Sequence, residues 1–165
     1  MTESGASWDV RGLGTAVGLC VAMAVLEGVL SANGLPDWYA GLAKPWWHVP
    51  IWAFAAVAIA VYVLEGFVAY RLCTQPLPAA GRAVGLTALS VVMLFNALWN
   101  YVLLQSRDLF AVWVLLIAFL APLVILQVAL TVYERRSAVA FSAYLAWVLC
   151  YDLPLYYTMW CLNPG

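Results

Sequence analysis

Charge is what this chain has least of: only 9% of its 165 residues are charged, histidine occurs once, and Lys44 is the sole lysine. A water-soluble domain carries roughly a quarter charged residues to cover its surface, so an ordinary soluble globule is excluded. The formal net charge is -1 with no basic patch, which leaves nothing to hold a phosphate backbone and excludes nucleic acid as a partner. Cys20, Cys73, Cys150 and Cys161 form no CxxC pair and no His/Cys cluster, so neither a disulfide framework nor a metal site is indicated and the thiols read as packing residues. No nucleophile elbow, HExxH or phosphate-cradling glycine loop is present, and His48 has no local partner for a triad. No catalytic residue, no metal ligand and no required cofactor is assigned. Ligation of a haem iron by His48 is weighed against the plainer role of a capping residue among loop prolines.

What is present is hydrocarbon, at 67% of the residues. Five apolar runs, Leu13 to Ala32, Ile51 to Leu72, Val84 to Leu104, Leu109 to Tyr133 and Ala138 to Leu162, are each long enough at about 1.5 Å per residue to cross about 30 Å of bilayer core. The expected fold is all-α: one domain, residues 1–165, built as a bundle of five transmembrane helices with the lipid bilayer as its surroundings. Residues 1–12 include Glu3, Asp9 and Arg11, unlike the positive start of a signal peptide, so the first helix is expected to be retained. Arg11, Arg71, Arg82, Arg135 and Arg136 fall on one side and Lys44 and Arg107 on the other. The side richer in arginine is expected inside, which puts the amino terminus inside and the carboxyl terminus outside. Gly14 and Gly18 have a small-xxx-small spacing, read as close packing within the chain or as a homodimer face. Trp8, Trp38, Tyr39 and Trp160 suit the membrane interface.

Polar groups inside a bilayer are costly and need a partner, a cavity or water. Here they are Glu27, Glu65, Asn96, Asn100, Gln127 and Asp152, none with an obvious arginine or lysine at its depth. Phe54, Ala58, Tyr62 and Glu65 recur at four, four and three residues and so share one helix face. Asn96, Trp99 and Asn100 make a second face, and Tyr144, Trp147 and Tyr151 a third. Converging, these faces would enclose a pocket with flat walls and a few hydrogen-bonding groups, suited to a planar, largely apolar ligand. Interhelical glue is the plainer use of the three acids; a small proton-coupled transporter or channel built on Glu27, Glu65 and Asp152 is the sharper alternative.

Residues 38–50, WYAGLAKPWWHVP, gather four aromatics, two prolines, the lysine and the histidine. This stretch continues to IWAF, and Trp38, Tyr39, Leu42, Lys44, Pro45, Trp47, Pro50, Trp52 and Phe54 fall on a signature that resembles that of the TspO/MBR family, the tryptophan-rich sensory and translocator (peripheral benzodiazepine receptor) proteins. FNALW (Phe95 to Trp99), AYLAWV (Ala143 to Val148), Tyr62 with Gly66, and the closing YTMWCLN are similar to further family blocks in the same order. The resemblance implies a five-helix bundle, often dimeric, that acts as a membrane receptor or carrier. Its cavity, under the loop between helices 1 and 2, binds porphyrins including haem, benzodiazepine-type ligands and, in some members, cholesterol. It implies that Trp46, Phe54, Asn96, Trp99, Tyr144 and Trp147 line or support the cavity and that Lys44 and Pro45 shape the loop over it. The candidate ligand-binding set is therefore Trp38, Tyr39, Lys44, Pro45, Trp46 and Trp47 in the loop, with Phe54, Ala58, Tyr62, Glu65, Asn96, Trp99, Asn100, Tyr144, Trp147 and Tyr151 on the helices. Three departures stand out. Ala58 replaces a tryptophan that the resemblance ties to light-driven porphyrin breakdown, which disfavours a porphyrin-degrading photo-oxidase. Glu65 stands where methionine is common, and Val49 replaces the first proline of a pair. For a sterol motif, only Arg136, Phe141 and Leu145 fit, in reversed order. Pro154 is expected to kink the fifth helix, around a one-residue ambiguity of register.

Overall fold

The computed structural model describes residues 9–31 and 38–164; Glu3, Trp8 and Ala32 lie outside them. Five helices are long and apolar enough to cross a membrane. The first two are α1 (Val10–Ser31) and α2 (Ile51–Thr74), followed by α3 (Ala79–Tyr101), which runs on through a π-helical turn at Val102–Ser106. α4 (Leu109–Tyr133) is the fourth, and α5 (Arg135–Trp147) and α6 (Leu153–Leu162) form the fifth, joined by a second π-helical turn at Val148–Asp152. α3 packs against α1, α2 and α4, while the fifth span closes the bundle against α4 and α2.

On the arginine-rich side, side chains tie down two short connections. Arg82 donates from Nε to Leu72 O and from Nη2 to Gln75 O, both at 3.2 Å, covering carbonyls that the end of α2 leaves without helical partners. Glu134 alone separates α4 from α5: its Oε2 accepts from Ser137 N at 2.6 Å and its Oε1 from Arg71 Nη2 at 2.5 Å. Burial pushes this carboxyl up, but the hydrogen bonds from Arg71 and Ser137 outweigh it and bring Glu134 down to about 2. At the other end of the bundle, Arg107 turns the chain with a φ of 57°, and Asp108 caps α4 by accepting from Ala111 N at 3.0 Å.

The core is packed mainly by the middle helices. Leu89, Val92, Leu123, Leu126, Leu130, Phe141, Leu155 and Met159 are fully buried. α1 covers this core with one face and leaves Val17, Val21, Val25 and Val29, one per helical turn, exposed, an arrangement suited to lipid. Gly14 and Gly18 do not serve packing within the chain: a Cβ at either would meet nothing within 4 Å among the described residues. The close approaches are elsewhere, since a Cβ on Gly85 would come within 2.8 Å of Leu72 and one on Gly81 within 2.6 Å of the Tyr133 ring.

Pro154 lies at the start of α6, directly after the second π-helical turn. A π-helical turn takes one residue more than an α-turn and displaces the hydrogen-bond ladder at the point where proline offers no N–H. The stretch DLPLYY, where the sequence leaves a one-residue ambiguity, begins at the last residue of this turn. Pro122, buried inside α4, leaves that helix unbroken.

Candidate ligand-binding site

Between the halves of the helices nearest residues 38–50 lies a cavity of about 320 Å³, at the small end of the roughly 300–1,000 Å³ typical of ligand pockets. Residues 38–50 contribute Tyr39 and His48 to its lining. A short helical turn at residues 38–41 buries Tyr39, and a tight turn follows in which His48 N donates to Pro45 O at 3.0 Å. Pro45 is buried, and Trp46, at the tip of the turn, points away with 95% of its surface exposed.

Four sets of contacts fix this loop. The Lys44 ammonium donates to Tyr39 O (2.6 Å), Leu42 O (3.1 Å) and Ala40 O (3.3 Å) and sits 4.8 Å from the centre of the Tyr39 ring. Burial lowers the pKa of Lys44. Its geometry is that of a residue that fixes the loop. The Tyr39 hydroxyl lies 3.0 Å from His48 Nε2. Burial, then the nearby Lys44 charge, pushes His48 down. Burial also lifts Tyr39 to about 12, with Tyr151 and Asp152 adding to the rise and Tyr156 opposing it, so both partners are neutral at pH 7. From the fifth span, Tyr151 accepts from Val49 N at 2.8 Å and packs edge-on against Trp47, with ring centres 5.8 Å apart. Finally, Asn163 pairs with the backbone of Ala43 in both directions, its Oδ1 accepting from Ala43 N and its Nδ2 donating to Ala43 O, each at 2.9 Å.

Beneath the loop the three predicted faces meet. Tyr39, Phe54, Ala58, Tyr62, Glu65, Asn96, Trp99, Asn100, Tyr144 and Trp147 all line the cavity. Phe54 and Trp99 lie parallel at 6.5 Å, and Trp99 meets Tyr156 edge-on at 5.1 Å. Asn96 links two helices to its own: its Nδ2 donates to Glu65 Oε1 at 2.9 Å, and its Oδ1 accepts from the Tyr144 hydroxyl at 2.7 Å. Trp147 Nε1 donates to Asp152 Oδ1 at 3.1 Å, and its ring lies 4.4 Å from that of Tyr151.

Six candidates stand outside the lining. Lys44, Pro45, Trp47 and Tyr151 build and hold the loop, Trp38 is half-buried against the core, and Trp46 faces outward. Conversely, Glu27, His48, Asp152 and Tyr156 line the cavity although none was in the predicted set. Glu27 and Asp152 carried a signal, as carboxyls in apolar runs. Tyr156 carried none, because a tyrosine near a helix end reads equally well as an interfacial anchor. Among the described residues no group of three His, Cys, Asp or Glu side chains is placed to hold a metal ion.

The cavity has flat aromatic walls, a compact volume, dispersed hydrogen-bonding groups and a neighbouring loop tied down at several points. Comparison with known proteins agrees with that architecture. A model of the TspO/MBR family matches residues 16–161. The chain is also similar to the translocator protein of Sus scrofa, 30% identical over 149 residues that cover 85% of each chain. The match takes in all five spans and the loop between the first two, and the chain belongs to the TspO/MBR family.

Proposed function

We propose that this membrane protein is a receptor or carrier that takes a planar, lipophilic ligand into the cavity beneath residues 38–50, with the amino terminus inside and the loop on the outer side. The observation that carries this reading is a set of polar groups left open on the cavity wall itself. The Trp99 indole N–H is buried without a hydrogen-bond partner among the described residues, and the hydroxyls of Tyr62 and Tyr156, which stand beside Glu27 and Tyr39, make no hydrogen bond of good geometry. All three line the cavity. Buried donors without partners cost about 1–3 kcal/mol each, a cost that a bound ligand would offset.

The family resemblance makes a tetrapyrrole of the porphyrin or haem type the first ligand class to test, with sterols and benzodiazepine-like compounds next. A tetrapyrrole is large for this volume and would need the loop to move. Titration of the protein in lipid nanodiscs with protoporphyrin IX dimethyl ester, followed by quenching of tryptophan fluorescence, is expected to saturate and to weaken in Trp99→Ala. Quenching that rises linearly, as in empty nanodiscs, would count against the reading.

Proton-coupled transport is a second reading, favoured by the meeting of Glu27, Glu65 and Asp152 in one cavity. Its test is pH-gradient-driven ligand flux into proteoliposomes that is lost in Glu65→Gln. An association of two copies through the α1 face that bears Gly14 and Gly18 would leave the cavity unchanged.

A further inference from the structure

Among the described residues the lining contains three carboxyls, Glu27, Glu65 and Asp152, and not one lysine or arginine. Lys44, the cation of the covering loop, already donates to three backbone carbonyls. His48, whose ring does line the cavity, is engaged with Tyr39, and burial and Lys44 keep it in the neutral form. A ligand carboxylate entering this site would lose its water, gain no counter-charge and face three acids. A ligand ammonium would lose its water and find acceptors in their place.

The free valences are well placed for this. Glu65 is 1% exposed and has one oxygen committed to Asn96. Asp152 has one oxygen committed to Trp147. Glu27 stands beside the Tyr62 hydroxyl, which has no hydrogen bond of good geometry of its own. The Trp99 N–H is a donor only and lies on the wall formed with Phe54. It suits an uncharged acceptor such as a carbonyl or ether oxygen.

We infer that the cavity selects a planar lipophile carrying a basic nitrogen and rejects the same ring system carrying a carboxylate. This rests on the proposed binding function, and it narrows the ligand class beyond planarity: a tetrapyrrole with free propionates fits poorly, and its esterified or amine-bearing counterpart fits. Glu27 and Glu65 lie close enough to act on one another, so selectivity for the amine draws on that pair together.

The test uses the full chain in phosphatidylcholine nanodiscs and anthracene bearing a methyl, an aminomethyl or a carboxyl group at the same ring position, with empty nanodiscs correcting for partition into lipid. The expected order is amine, then methyl, then acid, with amine and acid separated by about tenfold or more in Kd. Glu65→Gln and, separately, Glu27→Gln are expected to narrow that ratio, with any loss of affinity common to all three compounds read from the methyl compound. Retained binding of the methyl compound also shows that the variant is folded. Equal affinity for amine and acid, or a ratio unmoved in both variants, overturns the selectivity. Failure of all three compounds to saturate overturns the binding function itself, a separate outcome.

Discussion

Asn163→Ala should loosen the loop over the cavity without touching the cavity. The side chain makes two hydrogen bonds to Ala43, both 2.9 Å long and partly exposed, so each is worth about 0.5–1 kcal/mol net, the lower part of the usual range. A third bond, to Met159 O at 2.7 Å, lies within the end of α6 and does not hold the loop. Losing the pair costs about 1–2 kcal/mol, which raises the open population of the loop by about 5- to 30-fold. The loop keeps Tyr151, the Tyr39–His48 bond and the Lys44 contacts, so the change is in frequency of opening and not loss of the structure. Ligand entry and exit should both quicken by this factor, with Kd nearly constant. Stopped-flow displacement of bound protoporphyrin IX dimethyl ester from nanodiscs reads the exit rate directly. An unchanged exit rate would refute the claim that the Asn163 pair holds the gate, and a large rise in Kd would show that Asn163 supports the cavity itself.

Other residues give independent tests. Asn96→Leu strips a partner from both Glu65 and Tyr144 and should destabilise the bundle by about 1–3 kcal/mol for each buried group left unpaired, seen as a lower Tm in detergent. Ala58→Trp should fill the cavity, leaving Tm unchanged or raised while planar-ligand affinity falls; undiminished affinity would place the ligand elsewhere. Glu134 is held at about 2 against an ordinary 4.5, so its contribution is complete above about pH 4.5 and is lost as pH falls toward 2. Thermal melts across that window should show this loss in the native chain and a flatter profile in Glu134→Gln. Arg71→Leu should weaken the same dependence, because it removes the Glu134 salt-bridge partner while Ser137 remains.

The apolar runs located the five spans because a bilayer demands length and hydrocarbon, both of which are visible one residue at a time. α4 agrees at both ends, Leu109 and Tyr133. α3 begins at Ala79, five residues before the run at Val84. Its first turn, Ala79–Arg82, reads as loop by hydropathy yet is helical because Pro78 can precede a helix and Arg82 folds back onto the end of α2. The three lining faces were legible through helical periodicity, which is why ten of the helix and loop candidates meet around one space. The loop was harder. WW at 46 and 47 offers two similar side chains, and only the turn from Pro45 to His48 decides that Trp47 packs inward and Trp46 outward. The π-helical turns left no periodic signal, since a single inserted residue looks the same as an uncertain alignment. Asn163 was visible as the last letter of a motif, but its bonds to Ala43 span 120 residues and no local pattern announces them.

The central claim, that the space under residues 38–50 receives the ligand, is tested most directly by photoaffinity mapping. A photoreactive, planar, amine-bearing probe would be irradiated in nanodiscs and the labelled residues identified by mass spectrometry. Labels on Ala58, Trp99, Trp147 and Tyr156 that disappear with excess unlabelled amine are the predicted result. Labels confined to the outward aromatic cluster of Phe110, Trp113, Tyr157 and Trp160, with the cavity residues unmarked, would contradict it.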